Sequence, residues 1–261
     1  MKTKSGISFF SSSLLESAPV THAFLSRRGG VSAPPFDSLN FDTRGADPAE
    51  QVEKNLSRVS EAFGIDAGRL VTVNQVHGNN LLLVDDKTQH LRKKVDADAV
   101  ITMVSGAPIG ILTADCLPVF LYDPVKRAVA AVHAGWKGSA SGVVLKTIEM
   151  MRKRFSTRPG DLLAALGPYI GPCCYAVGEN VASEFERGFG ASSVDYIQNI
   201  YGEMRLDIGM ANISQLVGAG VHREKISMEA ACTSCNNGLL FSYRKDNGVT
   251  GRQLSFIMVK E

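Results

Sequence analysis

The 261-residue chain lacks a charge excess of either sign. Its 28 Lys and Arg stand against 26 Asp and Glu, giving a net charge of +2 with both signs mixed along the length. That leaves no basic footprint of the kind that holds nucleic acid, so no nucleic-acid partner is expected. Long hydrophobic runs are also missing. The apolar stretches are strand-length and broken by Gly, Pro or charge, so no membrane span is expected. Lys2 and Lys4 lead into serine-rich sequence with short apolar patches, which is not the pattern of a signal peptide. A cytoplasmic location is therefore expected, where the five cysteines stay reduced. What is present is a 44% hydrophobic composition, ample for a sizeable core. No repeat, low-complexity tract or linker divides the chain, which reads as a single α/β domain over residues 1–261 with mixed sheet.

The most informative stretch is Thr113-Ala114-Asp115-Cys116-Leu117-Pro118, taken with His133-Ala134-Gly135-Trp136-Lys137-Gly138. Between them, Val119 to Tyr122 and Arg127 to Ala130 flank Asp123-Pro124, a strand–turn–strand pattern. A turn centred between Pro124 and Val125 places Cys116 directly opposite His133. Opposed side chains in a ladder have Cβ atoms about 4.5–5.5 Å apart. A thiolate and an imidazole at that separation can share a metal ion, act as nucleophile and base, or be no more than a half-buried pair.

Other elements follow from local signals. Val20 to Leu25 reads as a strand, ending in Ser26-Arg27-Arg28-Gly29-Gly30, a turn whose amides and guanidinium groups suit an anion. Residues 1–16 read as a frayed or amphipathic lead-in, and Pro34 to Asn40 as a loop. Asp47 is expected to cap a helix that Pro48 opens, with Val52, Leu56, Val59 and Phe63 inward and Gly64 as the stop. Leu70 to His77 reads as a strand broken at Gly78-Asn79, which leaves His77 at a strand end. Further strands are expected at 80–85, 100–102, 108–113, 162–166, 225–228 and 254–259. Helices are expected at 139–155, from Gly178 to about Phe189, and from Asp207 to Ala219, the first with Val144, Ile148 and Met151 inward.

His77, Cys116 and His133 together make three N/S ligands. That number, with a fourth position open, is how a catalytic zinc is held. The spacing is too long to count as a compact motif. Cys232-x-x-Cys235 could join Cys173-Cys174 in a second metal site, but adjacent cysteines seldom share one ion comfortably, so reduced structural thiols are the expectation. His22, His90 and His222 sit in unpromising contexts. Arg244 and Arg252 suit phosphate or carboxylate, or surface ion pairs.

Many of these segments, in this order, closely resemble the YfiH-type family, known also as laccase-domain, multicopper polyphenol oxidase or purine nucleoside phosphorylase proteins. The likeness runs through Ser26 to Ser32, Asp37-Ser38-Leu39-Asn40, Gln75-Val76-His77-Gly78, Ala97-Asp98-Ala99, the Cys116 and His133 segments, and Leu166 to Gly171. It continues through Cys232-Thr233, Phe241-Ser242-Tyr243-Arg244 and Thr250-Gly251-Arg252. The resemblance implies an α/β/β/α sandwich with mixed sheets. It implies one metal, usually zinc, on His77, Cys116 and His133, with copper as the alternative occupant. It also implies phosphorolysis of adenosine, inosine and methylthioadenosine and deamination of adenosine, so the expected partners are a nucleoside and phosphate. Two positions depart from the usual pattern: Lys137 stands where Arg is common, and Ala176 where Glu is common.

On this reading Asp115 or Asp98 serves as general acid/base. Arg27, supported by Arg244 or Lys137, clamps phosphate, and Asn40 orients ribose or water. A multicopper oxidase is disfavoured, because five histidines cannot furnish several copper sites. A cysteine-type amidase that edits cell-wall precursors, with Cys116 as nucleophile and His133 as base, is the other enzymatic alternative. A binding module without turnover has no feature of its own in its favour.

Overall fold

The computed structural model describes residues 1–85, 95–200 and 202–261, so His90 lies outside the described residues. The chain opens with β1 (Lys2–Lys4), β2 (Ile7–Phe10), α1 (Ser13–Glu16) and β3 (Val20–Leu25). Next come α2 (Ala49–Phe63), β4 (Leu81–Val84), β5 (Ala99–Thr102), β6 (Ile109–Thr113), β7 (Leu117–Asp123) and β8 (Ala128–Ala134). Then follow α3 (Trp136–Ala140), α4 (Val143–Phe155), β9 (Leu163–Leu166), α5 (Glu179–Phe189), β10 (Ile197–Ile200) and β11 (Glu203–Leu206). The chain closes with α6 (Ile208–Gly218), β12 (Ile226–Met228) and β13 (Gln253–Val259).

Two sheets stack face to face. One has the order β1-β2-β3-β13-β6, and the other β12-β9-β7-β8-β5-β4 with both parallel and antiparallel pairs. Alternation along each strand fills the layer between them with Phe24, Ile109, Ile111, Phe120, Tyr122, Val129 and Ile257. Phe24 stacks on Phe120 with ring centroids 4.5 Å apart. The opposite side chains of β7 and β8 (Leu117, Val119, Val132) pack on Val144, Ile148 and Met151 of α4 and on α6. Outside the first sheet, Phe9, Leu25 and Phe256 pack on Val59 and Phe63 of α2. Helix, sheet, sheet and helices therefore form four layers, the expected α/β/β/α sandwich.

Several local expectations need correction. The lead-in is an antiparallel hairpin, β1 on β2, followed by α1. Pro48, not Asp47, is the N-cap of α2, and the Asp47 carboxylate instead accepts hydrogen bonds from Ser32 and Asn40. The expected 139–155 helix is two helices, because Gly142 takes a φ of 73° between α3 and α4. Leu70 to His77 forms only isolated bridges, at Val71 and Asn74. There the Gln75 side chain takes the place of a ladder, donating to the Leu112 carbonyl at 2.7 Å and accepting from the Leu112 amide at 2.8 Å. No helix among the described residues is long and apolar enough to cross a membrane.

Candidate metal and substrate site

The hairpin register differs from expectation by one position on each strand. The Asp123 carboxylate accepts from the amides of both Val125 and Lys126, and Arg127 adopts a φ of 52°. The turn is thus four residues long, with Asp123 paired to Ala128 and Pro118, not Cys116, opposite His133. Cys116 sits just before β7, and the residues still converge. The ligand atoms of His77, Cys116 and His133 all lie within 4.8 Å of one another. The two imidazole rings are 4.8 Å apart, centroid to centroid, and steeply inclined.

Gly135 makes this convergence possible. A Cβ there would lie 3.1 Å from both the Cys116 Sγ and the His77 ring. His77 and Asp115 hold φ values of 59° and 85°, left-handed conformations that non-glycine residues adopt at a cost. In both cases hydrogen bonds to the backbone sustain them. The Asp98 carboxylate accepts from the amides of His77 at 2.9 Å and Gly78 at 2.7 Å. The Asp115 carbonyl accepts from the Ile170 amide at 2.9 Å.

Asp98 is fully buried and also meets His133 Nδ1 at 2.8 Å. That bond directs Nε2 toward Cys116 and His77. Burial would raise the Asp98 pKa, but His133 and the two amides hold it below the ordinary carboxylate value. Burial acts likewise against charge on Cys116 and His133. Their mutual attraction, with Asp98 assisting, still lowers the thiol and raises the imidazole. Both shifts favour the thiolate–imidazolium form of the pair, and a metal held by these atoms would displace the imidazolium proton. An N₂S donor set with one side open to a cleft fits zinc and also accommodates copper.

The cleft has a volume of about 480 Å³, and all three triad residues line it. Arg44, Arg244 and Arg252 line it, with Tyr175, Tyr243 and Trp136 supplying aromatic walls. Two of the guanidinium groups lie over aromatic rings, Arg244 on Tyr175 and Arg252 on Tyr243. Burial, helped by Cys116 and Asp115, pushes the Tyr175 phenol well above its ordinary pKa, so it stays protonated. A second cleft of about 540 Å³ shares His77 and Trp136 with the first and is also lined by Lys137.

Not every expected residue is in the cleft. Arg27 is buried, with its guanidinium committed to the Asp37 carbonyl and carboxylate and to the Asn237 carbonyl, and stacked on Phe241. Asn40 is also buried, bonding Asp47 and the amides of Asp42 and Arg252. Both brace loops, and neither lines the cleft. Asp115 lines the cleft and Asp98 does not, and both carboxylates accept several hydrogen bonds from the chain. Asp115 accepts from Thr233 Oγ1 at 2.5 Å and from the Arg244 amide at 2.7 Å. Lys137 lines the second cleft, its Nζ over the Trp136 ring. Sequence reasoning passed over Arg44, Tyr175 and Thr233. Arg44 lies in a turn that carries no distinguishing pattern. Tyr175 and Thr233 fall within or beside recognisable segments and were given no role.

All the parts meet at one end of the six-stranded sheet. Strand pairing brings there the starts of β4, β5 and β7 and the ends of β8, β9 and β12.

Comparison with known proteins agrees with this fold. Residues 21–260 match the family described as multi-copper polyphenol oxidoreductase laccase. The purine nucleoside phosphorylase YlmD of Geobacillus stearothermophilus is 34% identical over 242 residues, covering 90% of this chain and 88% of the relative. The purine nucleoside phosphorylase YfiH of Escherichia coli is 37% identical over 232 residues, covering 88% and 90%. The crystal structure of YlmD from Geobacillus stearothermophilus superposes with a TM-score of 0.92 at 30% identity, over 100% of this chain and 98% of that one. The chain therefore belongs to the YfiH/YlmD laccase-domain family.

Proposed function

We propose that the protein is a zinc-dependent purine nucleoside phosphorylase that also deaminates adenosine, acting in the cytoplasm on free nucleosides and phosphate. The observation that carries this reading is the pairing of an N₂S donor set with three guanidinium groups around one cleft. Relatives named as purine nucleoside phosphorylases support the reaction class.

In this reading His77, Cys116 and His133 hold the ion. Bound there, zinc supplies Lewis acidity of the kind that brings the ionisation of water close to neutral pH. Asp98 fixes the His133 ring and the His77 loop. Arg244, with Arg44 and Arg252, replaces Arg27 as the phosphate clamp, since bidentate guanidinium–phosphate contacts both neutralise and orient the nucleophile. Asp115 positions Arg244 through its backbone amide. Tyr175 offers a hydroxyl donor, and the aromatic walls suit a purine ring. Phosphorolysis forms a bond from a phosphate oxygen to the ribose anomeric carbon and breaks the bond to the purine nitrogen, which takes up a proton. Deamination replaces the exocyclic amine by a water oxygen and releases ammonia.

The test is chromatography of products after incubating zinc-replete protein with adenosine, with and without phosphate. Adenine appearing only with phosphate, and lost in Cys116→Ala, supports phosphorolysis, and phosphate-independent inosine supports deamination. Adenosine untouched in both overturns the reading.

The thiolate–imidazolium–carboxylate line of Cys116, His133 and Asp98 favours one second reading, a cysteine amidase acting on cell-wall precursors. It predicts a covalent adduct at Cys116 and activity that survives chelation. A multi-copper oxidase lacks support from the residues, because the cleft offers only two histidines of the five in the chain.

A further inference from the structure

We infer that Cys173, Cys174, Cys232 and Cys235 form a second metal site, a structural tetrathiolate centre for a divalent zinc-class ion. Their four sulfur atoms all lie within 4.8 Å of one another. Cys235 Sγ is 3.6 Å from Cys173 Sγ and 3.4 Å from Cys174 Sγ. Four sulfurs placed tetrahedrally at the zinc–thiolate distance of about 2.3 Å are separated by about 3.8 Å. The cluster is thus already near the size that one ion requires. The same spacings are far beyond the roughly 2.05 Å of a disulfide, and all five cysteines of the chain are free.

Adjacent cysteines are poor joint ligands in extended chain, where successive side chains point apart. Here Cys173 and Cys174 lie in the turn that follows Pro172, and both sulfurs reach Cys235. The Gly171 amide donates to Cys232 Sγ at 3.3 Å, a contact that stabilises a thiolate. Arg205 donates to the Cys173 carbonyl at 2.7 Å, bringing a cation to the edge of the cluster. Binding replaces the thiol protons by one divalent ion, so four thiolates and the metal carry a net charge of −2, beside an Arg205 that is itself paired with Glu203.

The site has a structural purpose. It would clasp the loop after β9 to the loop after β12, which otherwise meet through the Tyr169–Cys232 bridge and the Thr233 amide on the Tyr169 carbonyl. Those same loops supply Ile170 and Tyr175 to the cleft wall and Thr233 to Asp115. This inference stands apart from the reading of the cleft as a nucleoside site.

The experiment is metal analysis and cobalt titration of the full chain. Wild-type protein purified without chelator is expected to hold two zinc equivalents. Cys235→Ser, and separately Cys173→Ser, should each lose one equivalent while circular dichroism stays native. Both positions are exposed, so the fold tolerates the change. In a Cys116→Ser background, Co²⁺ should still give thiolate-to-metal charge-transfer absorption, and adding Cys235→Ser should abolish it. The inference is overturned by a Cys116→Ser protein that holds no zinc, by a zinc content unchanged in both serine variants, or by charge-transfer absorption that vanishes with Cys116→Ser alone. Native protein whose four thiols are mass-mapped as disulfides would overturn it too.

Discussion

Replacing Asp98 by asparagine separates what its charge does from what its shape does. Its carboxylate accepts three hydrogen bonds at no exposure to solvent: His77 and His133 on one oxygen, Gly78 on the other. Asparagine keeps one acceptor and turns the other position into a donor. The better rotamer retains the His77 and His133 contacts and sets an amide NH₂ against the Gly78 N–H. A hydrogen bond to a charged group is worth about 1 kcal/mol more than a neutral one, and an unpaired buried N–H costs about 1–3 kcal/mol. The total, on the order of 3–5 kcal/mol, divides between folding and the site. The part felt by the metal is the loss of His133 basicity and ring orientation, for which such outer partners typically account for 10–100-fold in affinity. Zinc competition against a chromophoric chelator should therefore show Kd rising 10–100-fold in Asp98→Asn, and further in Asp98→Ala. A folded Asp98→Asn protein with unchanged zinc affinity would refute the idea that the carboxylate tunes the ligand.

Three other outcomes follow from single contacts. Arg244→Ala should raise KM for phosphate about 10-fold, the scale of one lost charge-assisted bond, and leave phosphate-independent deamination nearly unchanged; equal losses in both would mean that Arg244 does not select phosphate. His22 is buried, accepts the Ser12 amide on Nε2, and is held neutral by burial at a pKa of about 4 against an ordinary 6.5. The unfolded chain binds that proton first, so stability is complete above about pH 6.5 and falls as pH drops toward about 4, by about 3 kcal/mol; chemical denaturation of His22→Gln should show a flatter slope in that window, and parallel slopes would refute it. Gly167→Ala should lower stability by about 1–3 kcal/mol, because its Cβ would sit 2.3 Å from the Phe24 ring that stacks on Phe120; an unchanged melting temperature would show that the two sheets give way there.

Single elements were legible because the apolar runs of β7, β8 and β13 and the helical stripe of α2 are properties of short stretches, whereas the four-layer order came only with the family resemblance. The donor triad was legible for a related reason: a hairpin must bring Cys116 near His133, and a shift of register changes their offset but leaves the approach intact. Arg27 and Asn40 misled because residue type says nothing about which way a side chain faces. Each spends its hydrogen-bonding groups on carbonyls, carboxylates and amides from distant parts of the chain, such as Asn237 and Arg252. Asp98 was recognised as part of the site but cast as an acid, since its three donors come from segments that only tertiary pairing assembles.

The cysteine cluster shows why an assembly that the sequence can suggest cannot be decided from a linear reading. Cys174 and Cys235 are about sixty positions apart, and nothing between them marks a motif. What joins them is the parallel pairing of β9 with β12, which aligns Leu166 with Met228 and sends both following loops off the same end of the sheet. The antiparallel neighbours β7 and β8 deliver Cys116 and His133 to that end from the opposite chain directions. A parallel pair needs its crossover to return to the same edge, so its two outgoing loops are bound to be neighbours. Thiols on both loops then face each other, and the first of those loops also supplies Ile170 and Tyr175 to the cleft. Strand direction, more than any local motif, put both donor clusters at one end of one sheet.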